Sequence, residues 1–439
     1  MKELQESRYN YRLPYDDQVL FFNGMTRRFI PVPHFLQEIV ESFLANPSKA
    51  SQVSPAFLDK LQSTGLLINK SINELEVIRE RYQQARNAAS YQLVLTLDEP
   101  FVHSNHSKIT LLKSRSTMNE KVRHSIKRHL DRYVVEHPIT QLQLEWLGVN
   151  LHRQLQDEIK EISEYAISVC KANNIDFQVG ITTHELSLQE QEVALLRRLP
   201  LRSIRLILDL TTREKKNLTE KEIVSAYITH TKQLVSLFPN ILFILLIHGN
   251  LNSFDFQSFI QSMNEQFSEP ERKNISIFAH DKLPSFRHDD APMREDMLQR
   301  LYQNGYNQQW ENMLPMICSG EKKHAYAMNG EGNVGKCVVD FNHSAFGYVT
   351  THGNVFWDET SIQMDGDIPH FENMRCLSCK HLPLCMGQCI PLQRVQGDNI
   401  FAEPSDCLLP PWGISPESAI QNYCSTMMEH YVNGDNSEL

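Results

Sequence analysis

From residue 91 onward the apolar positions fall into short runs separated by longer stretches of helical period. The runs are YQLVLTL (91–97), QLQLEWLG (141–148), DFQVGITT (176–183), SIRLILDL (203–210), ILFILLIHG (241–249) and ISIFAH (275–280). Helical segments near 118–136, 152–173, 187–198, 219–238 and 253–266 lie between them. Parallel strands need crossovers of this length, and strands buried on both faces read as near-continuous apolar runs. The pattern predicts an α/β fold over residues 91–309, an open, partial (β/α)6 barrel. Such barrels keep their chemistry at the carboxyl ends of the strands, so the loops after residues 97, 148, 183, 210, 249 and 280 are the places to search.

The N-terminal region follows a different rhythm. Residues 8–33 alternate apolar and polar positions around a YDD turn and an FNG turn, which predicts two or three short strands. Phe35, Leu36, Ile39, Val40, Phe43 and Leu44 then recur at helical spacing, so one face of a helix there should be buried. A second helix carries its own start and stop signals: Ser54 as cap, Pro55 in the first position, Phe57, Leu58 and Leu61 on one face, and Gly65 past the end. With LLIN as a closing strand, residues 1–69 read as a small winged-helix domain. Ser71 and Glu74 have the spacing of a capping box and open a solvated helical linker over residues 70–90.

Past residue 310 the alternation stops and eight of the nine cysteines appear: Cys424 near the end of the sequence, and before it the set Cys318, Cys337, Cys376, Cys379, Cys385, Cys389 and Cys407. Residues 310–439 therefore read as a loop-rich domain, short of apolar core and stapled by metal. The composition, 41% hydrophobic and 22% charged, is that of an ordinary globular protein. The first residues, MKELQESRYNY, have no basic stretch followed by an apolar one, and the longest apolar run, ILFILLI, is far short of the roughly 20 residues that cross a bilayer. The expectation is a cytoplasmic protein with no membrane partner, where clustered cysteines are metal ligands more often than disulfides. A net charge of -10 argues against a general nucleic-acid binder.

The cysteine spacing is C-x13-G-x4-C for Cys318, Gly332 and Cys337, then C-x2-C-x5-C-x3-C for Cys376 to Cys389, then a gap to Cys407. A zinc ribbon takes four thiolates in two pairs, and seven fit it poorly. The arrangement resembles the SPASM domain, the auxiliary iron-sulfur module of radical SAM peptide maturases. That resemblance implies two 4Fe-4S clusters: Cys376, Cys379, Cys385 and Cys407 on one, and Cys318, Cys337 and Cys389 on the other, with one iron open. In outline the whole chain is similar to radical SAM/SPASM maturases of ribosomally synthesised peptides. Residues 1–69 then correspond to their recognition element, which binds the leader of a precursor peptide as an added strand.

Three features of that family are missing. The loop after the first barrel strand, which there carries C-x3-C-x2-C for the cluster that binds S-adenosylmethionine, reads LDEPFVHSNHSKI and has no cysteine. The second strand, where relatives have W-x-G-G-E-P, continues Trp146, Leu147, Gly148, Val149, Asn150, Leu151. The third ends in ITTHEL, with His184 and Glu185 in place of a T-N-G turn. Cys170 and Cys424 are too far along the chain to replace the lost ligands. A histidine-rich metal site can be drawn from His103, His106, His184, His248 and His280, but among 18 histidines a few at strand ends arise by chance. Asp209 reads as a satisfied strand-end carboxylate, and the carboxylates of 152–173 as a solvated face.

The sequence thus points to a pseudoenzyme, a radical SAM-like protein that keeps its auxiliary clusters, is not expected to use S-adenosylmethionine, and works beside a catalytically complete radical SAM partner on a precursor peptide. Two rivals stay open: an enzyme that does chemistry at the open iron of the second auxiliary cluster, and a scaffold whose cysteines bind zinc.

Overall fold

The computed structural model describes residues 3–97, 117–149, 151, 155–183, 188–210, 219–249, 251, 254–280, 291–307, 317–338, 347–357, 369, 371–387 and 414–432. Its contacts divide the chain into two compact units. One comprises residues 1–85, 310–317 and 368–439, the other residues 86–309 and 318–367.

The first unit starts with β1 (Leu4–Glu6), β2 (Asn10–Tyr15), β3 (Gln18–Asn23) and β4 (Arg28–Pro33). Strands β2, β3 and β4 form an antiparallel sheet in that order. The YDD turn closes the first hairpin, with Asp16 at φ 49° and Tyr15 paired to Gln18. Three helices follow, α1 (Gln37–Ala45), α2 (Pro47–Val53) and α3 (Pro55–Ser63), then β5 (Leu67–Asn69), which pairs antiparallel with β1. The signals read for α3 hold: the Ser54 side chain accepts from the Phe57 amide at 3.3 Å, Pro55 opens the helix, Leu61 is fully buried, and Gly65 sits at φ +80°. The buried face of α1 is narrower than its periodicity predicts. Val40, Phe43 and Leu44 join a core with Val19, Phe21 and Ile30, whereas Phe35, Leu36 and Ile39 are 79%, 36% and 47% exposed.

Helix α4 (Glu74–Arg86) also departs from expectation. Asn73, not Ser71, supplies the cap, its side chain accepting from the Leu75 amide at 3.2 Å. Glu74 instead takes the Ser7 hydroxyl and the Arg8 amide. Ile78 and Tyr82 are fully buried among Tyr9, Ile317, Phe371 and Leu382, so this helix is part of a core rather than a solvated connector. Thus the segment around Phe371 and Leu382, kept apart from the N-terminal strands in the sequence reading, shares their core.

The second unit holds the parallel strands β6 (Ser90–Thr96), β7 (Gln141–Val149), β8 (Asp176–Thr183), β9 (Leu201–Asp209), β10 (Leu242–His248) and β11 (Ile275–His280). Between them lie α5 (Glu120–Glu136), α6 (Lys160–Ala172), α7 (Glu190–Leu196), α8 (Glu220–Leu237) and α9 (Phe256–Gln266), with α10 (Ala291–Gln303) after β11. Side-chain caps fix several helix starts, among them Asn119 for α5 and the Thr219–Glu222 box for α8. The six strands lie side by side in chain order. With right-handed crossovers, that order puts all the connecting helices on one face of the sheet and leaves the other to the strands alone.

The sheet is larger than the sequence predicts. β12 (Ala325–Asn329) adds a seventh parallel strand beside β6, and β13 (Asn333–Gly335), β14 (Gly347–Val349) and β15 (Val355–Phe356) extend it as an antiparallel meander to ten strands. These strands of two to five residues are too short to show a period in the sequence. The Gly353 turn of this meander reaches α5, where a Cβ at Gly353 would lie 2.4 Å from the Arg128 carbonyl carbon. No helix among the described residues is long and apolar enough to cross a membrane.

Candidate functional sites

Cys318 and Cys337 belong to the second unit. Both flank Gly320, whose Cβ would lie 3.8 Å from Cys318 Sγ and 4.0 Å from Cys337 Cβ. The β12–β13 hairpin brings them together. Its turn is held by Asn329, whose side chain accepts from the Glu331 and Asn333 amides at 3.0 Å, and by Gly332 at φ +87°, a conformation that L side chains rarely adopt. The glycine in C-x13-G-x4-C therefore has a local reason: it lets the chain double back and return Cys337 toward Cys318. Lys336 Nζ closes the arrangement by donating to the Lys322 carbonyl at 2.8 Å.

Cys376, Cys379 and Cys385 belong to the first unit, on α11 (Met374–Ser378), at its C-cap, and at the end of α12 (Leu382–Cys385). Asn373 caps α11 by accepting from the Cys376 amide at 2.9 Å. The His381 amide donates to Cys379 Sγ at 3.3 Å, the contact that stabilises negative charge on a ligand sulfur. Met386 and Gly387 then turn the chain with φ of 49° and 94°, and the Cys385 thiol donates to the Gly387 carbonyl at 3.1 Å. Burial holds the Cys379 thiol above its ordinary pKa and the His381 amide works against it. The loop is seated on the N-terminal strands: the Tyr11 hydroxyl donates to the Lys380 carbonyl at 3.0 Å and lies 2.9 Å from His381 Nδ1, Arg8 donates to the Leu377 carbonyl at 2.6 Å, and Leu382 and Leu384 are buried.

All five of these sulfurs are half-buried, and none forms a disulfide with another described cysteine. By chemistry they suit a soft metal or an iron-sulfur cluster. Among the described residues no three Cys, His, Asp or Glu side chains already stand in a metal-holding arrangement. Cys389 and Cys407 lie outside the described residues. Cys170 on α6 and Cys424 on α13 (Pro416–Val432) are buried, and burial pushes the Cys170 thiol up to about 11; both are packing residues.

At the strand ends, His103, His106, Asn150, His184 and Glu185 also lie outside the described residues. Trp146 is fully buried on the helix side of β7 and donates from Nε1 to Ser163 Oγ of α6 at 3.1 Å, so its place in the chain is explained by packing. Gly148 takes φ +67° where the β7–β8 register slips between Trp146 and Val149. Glu158, read as part of a solvated face, is 3% exposed and accepts from the Met118 amide at 3.2 Å; burial raises its pKa.

The opposite face of the sheet carries a group the sequence reading missed. Glu145 on β7 pairs with Arg205 on β9 at 2.8 Å across Gly180 on β8, where a Cβ would fall 2.0 Å from Glu145 Oε2. Thr182, in register with Arg205, has a fully buried hydroxyl without a partner. The signal was present: QLQLEWLG and SIRLILDL place Gln143, Glu145 and Arg205 at alternate positions of runs taken as apolar throughout. Two strands along on the same sheet edge, Asp209 Oδ1 lies 3.6 Å from His248 Nδ1.

No family model matches the chain, and no curated protein matches it. Among solved structures it is similar to SuiB of Streptococcus suis bound to precursor peptide SuiA, with TM-score 0.47 and 13% identity, covering 92% of this chain and 100% of that chain. SuiB bound to S-adenosylmethionine gives TM-score 0.45 and 11% identity over 93% of this chain and 100% of that chain. Native anSMEcpe with bound AdoMet gives TM-score 0.43 and 13% identity over 78% of this chain and 97% of that chain.

Proposed function

We propose that this chain is a non-catalytic member of the radical SAM/SPASM type: an iron-sulfur protein that assists maturation of a ribosomally synthesised peptide by binding the precursor, a catalytically complete radical SAM partner, or both. One observation carries the reading. The chain keeps seven cysteines in auxiliary-cluster spacing and has none from Leu97 to Ile109, where a cluster that binds S-adenosylmethionine needs three. Thiolates are the ligands of such clusters, and no nearby thiol replaces them. Cys376, Cys379, Cys385 and Cys407 would hold one cluster, and Cys318, Cys337 and Cys389 the other. Bound clusters would supply electron transfer or bracing, while the chain's own residues bind peptide.

The N-terminal sheet supports the binding role and refines it. Among the described residues β4 pairs with β3 on one side only. Its ladder alternation turns Phe29, Pro31 and Pro33 outward, so an added strand meets carbonyls there and a single amide donor, that of Phe29. A long ladder is thus disfavoured, and the exposed Phe35, Leu36 and Ile39 just beyond the strand provide the apolar contact that a short one lacks. The test is anaerobic isolation of the protein with iron and acid-labile sulfide quantified. The proposal expects both in amounts for two clusters per chain, falling when Cys376 and Cys379 are replaced by alanine. Zinc without sulfide would overturn it.

A further inference from the structure

Helices α9 and α10, which precede and follow β11, leave between them a groove of about 770 Å³. Its walls are rich in carboxamides: Gln257, Gln261 and Asn264 line it from α9, and Gln299, Gln303 and Asn304 from α10 and the residue just past its end. Ile260, the one apolar residue of the lining, is 4% exposed. The four glutamines are exposed and the two asparagines half-buried, so both the rim and the floor are polar.

The hydrogen bonds fix how the floor is oriented. Asn304 Nδ2 donates at 2.8 Å to the Arg300 carbonyl, which can only accept, so Asn304 Oδ1 accepts from Asn264 Nδ2 at 2.6 Å. Asn264 Oδ1 is then buried without a partner. Gln257 Oε1 accepts from Arg300 Nη1 at 2.8 Å and Gln261 Nε2 donates to Glu265 at 3.2 Å, so each keeps the other end of its amide. Gln299 and Gln303 hydrogen-bond to no other described residue. Arg300 is neutralised by Asp296 at 2.8 Å and Glu265 adds negative charge, so the groove does not favour a phosphate. It also has no aromatic ring on which a base could stack.

Spacing selects the ligand. Carboxamides four residues apart on a helix, as Gln257 and Gln261 or Gln299 and Gln303 are, stand about 6 Å apart along its axis. An extended chain turns a peptide group to the same side every second residue, about 6.6 Å. A carboxamide carries a donor and an acceptor side by side, the complement of the C=O and N–H of a main chain. We propose that the α9–α10 groove binds an extended peptide through its main chain, with little regard to the side chains. The site uses no thiolate and no residue of β4 or α1, so it goes beyond the function proposed above and its failure leaves that reading untouched.

The probe is a fluorophore-labelled alanine–serine repeat peptide, whose side chains offer little to recognise. It is titrated with full-length protein carrying Phe35→Ser and Ile39→Ser, so that the exposed residues before and at the start of α1 do not contribute. Fluorescence anisotropy should show saturable binding. Methylation of alternate backbone nitrogens of the probe should weaken it at least tenfold. Adding Gln299→Ala and Gln303→Ala should do the same with an unchanged thermal midpoint, because both side chains are exposed. Should that variant fail to fold, Gln261→Arg, which fills the groove from the other helix, must give the loss instead. No binding, equal binding of the methylated probe, or binding unchanged by these substitutions would overturn the proposal. So would binding of a glucose oligosaccharide in place of the peptide.

Discussion

Asn23 shows how much one side chain can specify. Fully buried, its Nδ2, with two hydrogens, lies within hydrogen-bond distance of Ser7 Oγ, Asn10 Oδ1 and the Gly65 carbonyl, and its oxygen accepts from the Met25 and Thr26 amides, all between 2.8 and 3.0 Å. It therefore joins the FNG turn to the end of α3, and only because Gly65 leaves room: a Cβ there would approach Thr26 Cγ2 to 2.6 Å. His129 on α5 plays the same part in the second unit. Its Nδ1 lies 3.0 Å from the Gly353 carbonyl, which can only accept, so Nδ1 carries the proton and Nε2 receives the Tyr91 hydroxyl at 2.8 Å. Burial lowers the His129 pKa from 6.5 to about 4. Because the unfolded chain takes up that proton first, the stabilisation is complete above pH 6.5 and is lost as pH falls toward 4. The loss amounts to about 3 kcal/mol for a shift of this size. Chemical denaturation between pH 4 and 7 should show this slope, and His129→Gln should flatten it.

At the scale of elements, the apolar side chains left exposed just before and at the start of α1 are where the proposed peptide binding is tested. Phe35, Leu36 and Ile39 make no contribution to the core that Val40, Phe43 and Leu44 build. Replacing Phe35 and Ile39 together by serine should move the thermal midpoint by no more than about 2 °C, since exposed side chains contribute little to stability. The same pair should weaken binding of the precursor's leader at least tenfold in a titration. Unchanged affinity would remove the peptide-binding role of this face. Periodicity could not separate these residues from their buried neighbours, because all six recur at one helical spacing, and the spacing does not show how much of an apolar stripe the rest of the fold covers. The parallel strands were legible nearly to the residue, since runs such as ILFILLI are long, continuous and separated by stretches of helical period. β12 to β15 were not, being short and formed by pairing with distant strands. The side-by-side register of Asp209, His248 and His280 was likewise invisible in one dimension, since it depends on how two crossovers close.

For the molecule as a whole, the chain distributes its chemistry over two compact units. Cys376, Cys379 and Cys385 sit in the unit that holds the N-terminal strands, and Cys318 and Cys337 in the unit that holds the large sheet. Sequence spacing made the cysteines conspicuous but could not reveal that the first three lie in a loop seated on β2 through Tyr11. The central claim is that this protein binds rather than initiates radicals, and it is tested most directly by assaying 5'-deoxyadenosine. Anaerobically reconstituted full-length protein, with its clusters verified by iron and sulfide, is incubated with S-adenosylmethionine and a strong reductant. The account predicts no 5'-deoxyadenosine above a protein-free control, and its formation at more than one equivalent per chain would contradict it.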